Sequence, residues 1–152
     1  PVDRAYSHYN HMVRNNKEDI PFREALDNEN DRIRGEKQKI LEEPSYQSYH
    51  YHHHTYRERG KYVEFLKPWY ERFGDDQIRV VKSENLFQQP KQTTNNVFEF
   101  LGVDPYELDE YHQINKGEYD EIDDDLRAEL EAFYEPYNDE LEELIGRDMH
   151  WF

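Results

Sequence analysis

One short stretch, Gln77-Ile-Arg-Val-Val-Lys82, is the one clear β-strand signal in this chain. Elsewhere the apolar residues recur at helical spacing, so the core has to be built from helix faces. Ala5, Tyr6, Tyr9, Met12 and Val13 give a first helix from about Asp3 to Arg14, with Asp3 as its N-cap and Pro1 just outside it. Ile20-Pro21-Phe22 opens a second, whose inner face is Phe22, Ala25 and Leu26. Tyr62, Phe65, Leu66, Trp69, Tyr70 and Phe73 form a continuous stripe that reads as core, interrupted by a kink or break at Pro68. Pro90 starts a helix with Val97, Phe98 and Leu101 inward and Gly102 at its end. Asp123 caps another, which buries Leu126, Leu130, Phe133 and Tyr134. Pro136 begins a separate last helix closed by Gly146, after which Trp151 and Phe152 fold back onto the core.

Two segments have no clear period. Residues 27–43 are mostly charged and predict an exposed helix or a mobile excursion. Residues 44–56 read as a loop rich in tyrosine and histidine. His50, His52, His53 and His54 are metal-ligand types, but adjacent histidines do not easily reach one tetrahedral centre and no cysteine joins them, so no metal site is assigned. Flat rings with polar tips suit contact with a sugar or a phenol, which makes Tyr49, Tyr51 and His53 candidates for substrate contact.

The 152 residues fit one domain, 1–152. Only 35% are apolar, yet 13 Tyr, 8 Phe and 2 Trp make the chain too aromatic for a disordered one. The net charge of −16 excludes nucleic acid and anionic membranes as natural partners. Such a surface is common on halophilic proteins, because salt screens charge repulsion to about 3 Å at 1 M. With no cysteine there is no disulfide framework and no thiolate chemistry. No stretch approaches the roughly 20 apolar residues of a membrane span, and a cytoplasmic location is expected. Ser7 stands in the first turns of the first helix, where free N–H groups and the dipole favour an anion.

Pro1, Asp3, Arg4 and Ser7 resemble the end of the segment Arg-Asn-Pro-x-[Asp/Glu]-Arg-x-x-Ser, which binds the nucleotide 3′-phosphate in sulfotransferases that use 3′-phosphoadenosine 5′-phosphosulfate (PAPS). Further stretches are similar to that family in the same order. They are Pro21-Phe-Arg-Glu-Ala-Leu26, the set Gly60, Tyr62, Leu66 and Trp69, then Ser83-Glu-Asn-Leu86, Val97-Phe-Glu-Phe-Leu-Gly-Val103, and Lys116-Gly117 followed by Tyr119. Relatives often carry an Arg after the Lys-Gly pair, where this chain has Glu118. The resemblance implies an α/β, P-loop-like fold, of which this chain is the mostly helical C-terminal part with one strand. It also implies that the phosphate-binding Arg, the loop for the 5′-phosphosulfate and the catalytic base lie upstream of Pro1. No Gly-x-x-x-x-Gly-Lys-Ser/Thr motif is found.

By the same resemblance Ser7 holds the 3′-phosphate, with Lys116, Gly117 and Tyr119 over the nucleotide. Arg4 supports the loop through an ion pair. His11, one turn beyond Ser7, borders the acceptor. The implied reaction moves a sulfuryl group from PAPS, without a metal, to a hydroxyl or amine. Like charges repel, so an acidic chain is poorly suited to a polyanionic glycan, and a neutral or lipid-linked sugar or a small alcohol is expected. Two other readings stay open: a different P-loop-type nucleotide enzyme, which would bind ATP with magnesium, and a non-catalytic acidic interaction domain using the Tyr/His loop. The sequence is silent on oligomeric state.

Overall fold

In the computed structural model, which describes residues 1–108, 110–111, 117 and 119–151, the chain is helical throughout its regular part. The helices are α1 (Val2–Arg14), α2 (Phe22–Arg32), α3 (Glu36–Glu42), α4 (Tyr49–His53), α5 (Tyr62–Tyr70), α6 (Ser83–Gln88), α7 (Pro90–Leu101) and α8 (Asp124–Ile145). Short 3-10 turns cover Glu58–Gly60 and Asp75–Gln77.

The core forms where α1 and α2 meet the first half of α8. Val2, Ala5 and Met12 from α1, Phe22, Ala25 and Leu26 from α2, and Leu126, Leu130 and Tyr134 from α8 are buried together around Tyr56. Tyr6, Tyr9 and Phe133 seal its edge. The rings meet tilted or edge-on, as Tyr9 and Phe22 do at 4.9 Å and Phe22 and Tyr56 at 6.2 Å, the arrangement that ring quadrupoles favour. Gly60 lets the 3-10 turn lie flat on α8, because a Cβ there would overlap the Tyr134 ring.

The Tyr/His segment is not a surface loop. Ser48 caps α4 by accepting from Tyr51 N–H at 3.0 Å, and His53, His54, Thr55 and Tyr56 are all buried. Two buried carboxylates explain this. Glu18 takes the Tyr56 hydroxyl at 2.8 Å and pairs with Arg32. Glu29 takes the backbone N–H groups of Arg57 and Glu58, each at 2.9 Å. A buried acid is stable when its oxygens are filled this way. The charged stretch 27–43, read from the sequence as an exposed helix or a mobile excursion, buries Glu29 and Glu36.

Other expectations are corrected. Asp3 lies inside α1 and pairs with Arg127 at 2.6 Å, while Pro1 occupies the N-cap position. Residues 78–82 run extended but belong to no strand among the described residues, since a strand is defined by a pairing neighbour. The α5 stripe is not core. Val63 is its buried residue, and Phe65, Trp69 and Phe73 are 40%, 58% and 43% exposed. Leu101, expected inward on α7, is exposed, and Thr93 is the buried residue of that helix. α8 continues through Pro136 as one helix, held on both sides of the proline by the burial of Tyr134, Asn138 and Leu141. The caps at Asp123, Gly102 (φ 67°) and Gly146 (φ 65°) are as the sequence predicts. Trp151 packs on Tyr62 at 5.5 Å, and Phe152 lies outside the described residues.

Candidate functional site

Helical spacing places Arg4, Ser7, His8, His11 and Arg14 in one stripe along α1, opposite the residues it gives to the core. This stripe is one wall of a groove of about 800 Å³. Tyr62, Phe65 and Leu66 of α5, with Trp151, supply apolar and aromatic surface to it, and the extended residues Val80, Val81 and Lys82 lead into Ser83, Glu84 and Phe87 of α6 at its rim. α5 can face the groove because α8 covers only its Val63 side.

Positive charge gathers on the α1 wall of a chain that carries −16 overall. The ion pair expected for Arg4 is not formed among the described residues. Among them its Nη1 is buried without a hydrogen-bond partner. Arg59, from the 3-10 turn beneath, is held below its ordinary pKa by burial and then by Arg4. A buried guanidinium N–H with nothing to bond is costly, and an incoming anion would relieve it. Lys82 Nζ is engaged with the Met149 carbonyl, which fastens the extended segment to the chain after α8.

His8 sits in the middle of the stripe. Its Nε2 is 2.9 Å from the His53 carbonyl oxygen, and its ring packs on Tyr56 at 5.5 Å. Burial, then Arg4 and Arg59, hold its pKa down at about 4, so the imidazole is neutral at pH 7. His11 accepts from Asn15 Nδ2 at 3.2 Å.

Of the residues singled out in the sequence, the groove brings together Ser7, Arg4 and His11. Gly117 lies beside it, where an added Cβ would come 2.9 Å from Arg14 Nη1. Tyr119 packs edge-on against Tyr6 at 5.5 Å, on a different face of α1. Lys116 lies outside the described residues. Tyr49, Tyr51 and His53 do not line the groove. Tyr49 is exposed, the Tyr51 carbonyl accepts from Arg59, and His53 is buried against Lys17 and Tyr49. His50, His53 and His54 bond to one another or to neighbours, as His50 does to His54 at 3.0 Å. Among the described residues no group of three or more His, Asp or Glu is placed to hold a metal ion, and no helix is long and apolar enough to cross a membrane. His8, Arg14 and Lys82 escaped the sequence reading. The signal was there for His8 and Arg14, since positions 4, 7, 8, 11 and 14 share one helical face.

Comparison with known proteins follows the same outline. Residues 1–132 match the family model of the sulfotransferase domain. The crystal structure of a sulfotransferase from Alicyclobacillus acidocaldarius superposes with a TM-score of 0.74 at 36% identity, over 98% of this chain and 52% of that one. A membrane-associated sulfotransferase, kil1, of Dictyostelium discoideum is 24% identical over 93 residues, which are 61% of this chain and 20% of the relative. The chain thus spans about half of the solved relative and less of the curated one.

Proposed function

Since the chain belongs to the sulfotransferase domain family, we propose that the α1 groove binds PAPS and that the protein moves its sulfuryl group to a hydroxyl or amine, on a carbohydrate or a small alcohol. The observation that carries this reading is the pairing of unlike walls. Arg4, with a buried and unsatisfied Nη1, and Ser7 stand on one side, and Tyr62 and Trp151 on the other. A nucleotide has both partners to offer, phosphate oxygens for the first wall and a flat base for the second.

In this reading the Ser7 hydroxyl donates to the 3′-phosphate and Arg4 faces the same anion, with Gly117 allowing the chain close to Arg14 and the nucleotide. Lys116 adds a cation from its loop, and Tyr119 anchors that loop on Tyr6. His11 borders the acceptor. The α/β character of the fold comes from strands beside residues 78–82, and no residue of this chain is assigned to the 5′-phosphosulfate. The net charge of −16 favours a neutral acceptor over a polyanionic one.

Calorimetry with 3′,5′-ADP and 2′,5′-ADP tests the reading. The 3′,5′ isomer should bind at least about tenfold more tightly, and Ser7→Ala should weaken it by about tenfold, the value of one hydrogen bond to a charged group. Equal affinities for the two isomers would sink it. Magnesium-dependent ATP binding in their place would favour a P-loop-type nucleotide enzyme.

A further inference from the structure

The histidine-rich segment holds a pair that the α1 groove does not use. His50 and His54 are four residues apart, so the turn of α4 brings both rings to one face. Their Nδ1 atoms are 3.0 Å apart. His54 Nε2 meets the Lys17 carbonyl at 3.0 Å, and a carbonyl oxygen only accepts, so the His54 hydrogen is on Nε2. His54 Nδ1 then offers the lone pair, and His50 Nδ1–H donates to it. Neither ring lines the groove.

Four neighbouring histidines do not easily share one tetrahedral centre, but two at this spacing have no need to. His53 is already engaged, with its Nδ1–H donated to the Tyr49 carbonyl at 2.8 Å and its Nε2 accepting from Lys17 Nζ at 2.6 Å. His54 has the setting of a metal-bound imidazole. A backbone carbonyl takes one ring N–H and fixes the ring, and the lone pair on the other nitrogen points at a partner. His54 is buried and His50 is exposed, so one ligand is rigid and the other is free to swing. Two metal–nitrogen bonds of about 2.0–2.1 Å meeting at a right angle set their nitrogens about 2.9 Å apart. The 3.0 Å seen here is close to that. Neighbouring positions at a right angle are those of copper(II) and nickel(II).

We infer that His50 Nδ1 and His54 Nδ1 together chelate a divalent transition-metal ion, copper(II) most tightly, with water in the remaining positions. His50 gives up its Nδ1 hydrogen to solvent and takes another at Nε2, so binding releases no proton overall. The exposed His50 ring turns until both lone pairs meet at the ion, which replaces the hydrogen bond between them. The ion has no part in sulfuryl transfer, and the inference stands apart from what the groove binds.

The surroundings give the ion something to do. Glu18 favours positive charge at His54 and Arg32 opposes it, and the Tyr49 ring stands edge-on to both imidazoles at 5.6 Å. α4 is five residues long, too short to hold itself together. An ion between His50 and the C-cap residue His54 ties that turn closed. The same turn carries the His53 carbonyl that accepts from His8 Nε2–H in the groove at 2.9 Å. Metal on α4 therefore stiffens the support of a groove side chain without entering the groove.

Copper(II) titration of the whole chain in a non-chelating buffer tests this, read by calorimetry and electron paramagnetic resonance. A single site should fill, with nitrogen couplings from two imidazoles, and the melting temperature should rise. His50→Gln alters an exposed side chain and should weaken binding by roughly tenfold or more, at least what loss of an outer-shell partner costs. His52→Gln, two residues along, should leave the affinity within about twofold. Nickel(II) should bind the same pair more weakly. In NMR of the ¹⁵N-histidine-labelled protein, which needs no variant, substoichiometric copper(II) should broaden His50 and His54 ahead of His8, His11, His52 and His150. Equal losses for His50→Gln and His52→Gln would overturn the inference. So would broadening led by another histidine, or no binding up to about 100 µM copper(II).

Discussion

The two ends of this molecule use the same residue types to opposite effect. Where α1, α2 and the start of α8 meet, tyrosines and phenylalanines are buried, and the carboxylates among them have filled oxygens. Along α5, α6 and α7, rings of the same kind stand in solvent. Trp69 and Phe73 stack on each other at 5.7 Å while both remain exposed. α6 and α7 pack mainly on each other, so their apolar residues find little third surface. An amphipathic stripe specifies a face to be covered, and says nothing of whether this stretch of chain supplies the cover. The chain spans 52% of the solved relative's length.

The contrast is broken most directly by truncating one ring at each end. Tyr134→Ala should cost about 3–5 kcal/mol in urea unfolding, because it empties a site at the centre of the core. Trp69→Ala should cost no more than about 0.5 kcal/mol, as a surface change does. Equal losses would mean that the α5 face is packed in solution. Glu29→Ala tests the polar side of the core. It strips the Arg57 and Glu58 N–H groups of their acceptor, and a loss of about 2 kcal/mol is expected in the same assay.

The histidines next to the core sharpen the comparison through pH. His8 is held down at about 4, so between its ordinary value near 6.5 and 4 the unfolded chain binds the proton that the folded chain refuses. Its stabilisation is therefore full above about pH 6.5 and falls away as the pH drops towards 4. Burial lowers His52 and His54 too, with the same sign. Glu18, lowered by its bonds to Arg32 and Tyr56 against the opposing effect of burial, adds a further loss below the usual carboxylate range. Glu29, raised by burial, works the other way. Thermal melts from pH 7 to 4 should fall, and less steeply for His8→Gln; parallel curves would remove His8 as a contributor. The smallest effect belongs to the exposed end. Trp69→Ser with Phe73→Ser should leave the melting temperature within about 2 °C and reduce self-association in sedimentation at moderate salt. A large drop in the melt would show those rings to be structural.

Much of the helical plan was legible in the chain. The caps at Asp123, Gly102 and Gly146 and the inner faces of α2 and α8 follow from local spacing and turn chemistry, which act over a few residues. Ser7 was legible because its neighbours resemble a phosphate-binding segment, and its helical face carried Arg4 and His11 with it. The burial of residues 53–56 was not legible, since it depends on Glu18 and Glu29, acids that lie 38 and 28 residues away from Tyr56 and Arg57. Pro136 misled for a related reason. A proline removes one hydrogen bond, and only the packing of α8 decides whether the helix survives that loss.

The sequence by itself determined most of the helices, their apolar faces, and the shared α1 face of Arg4, Ser7 and His11. Short-range propensities and periodicity fix those. Tertiary structure alone decided which apolar faces are covered, that Arg4 Nη1 is buried without a hydrogen-bond partner among the described residues, and which nitrogen of His8 carries its hydrogen. Each of these depends on a neighbour distant in the chain, and the sequence does not say where such a neighbour will lie.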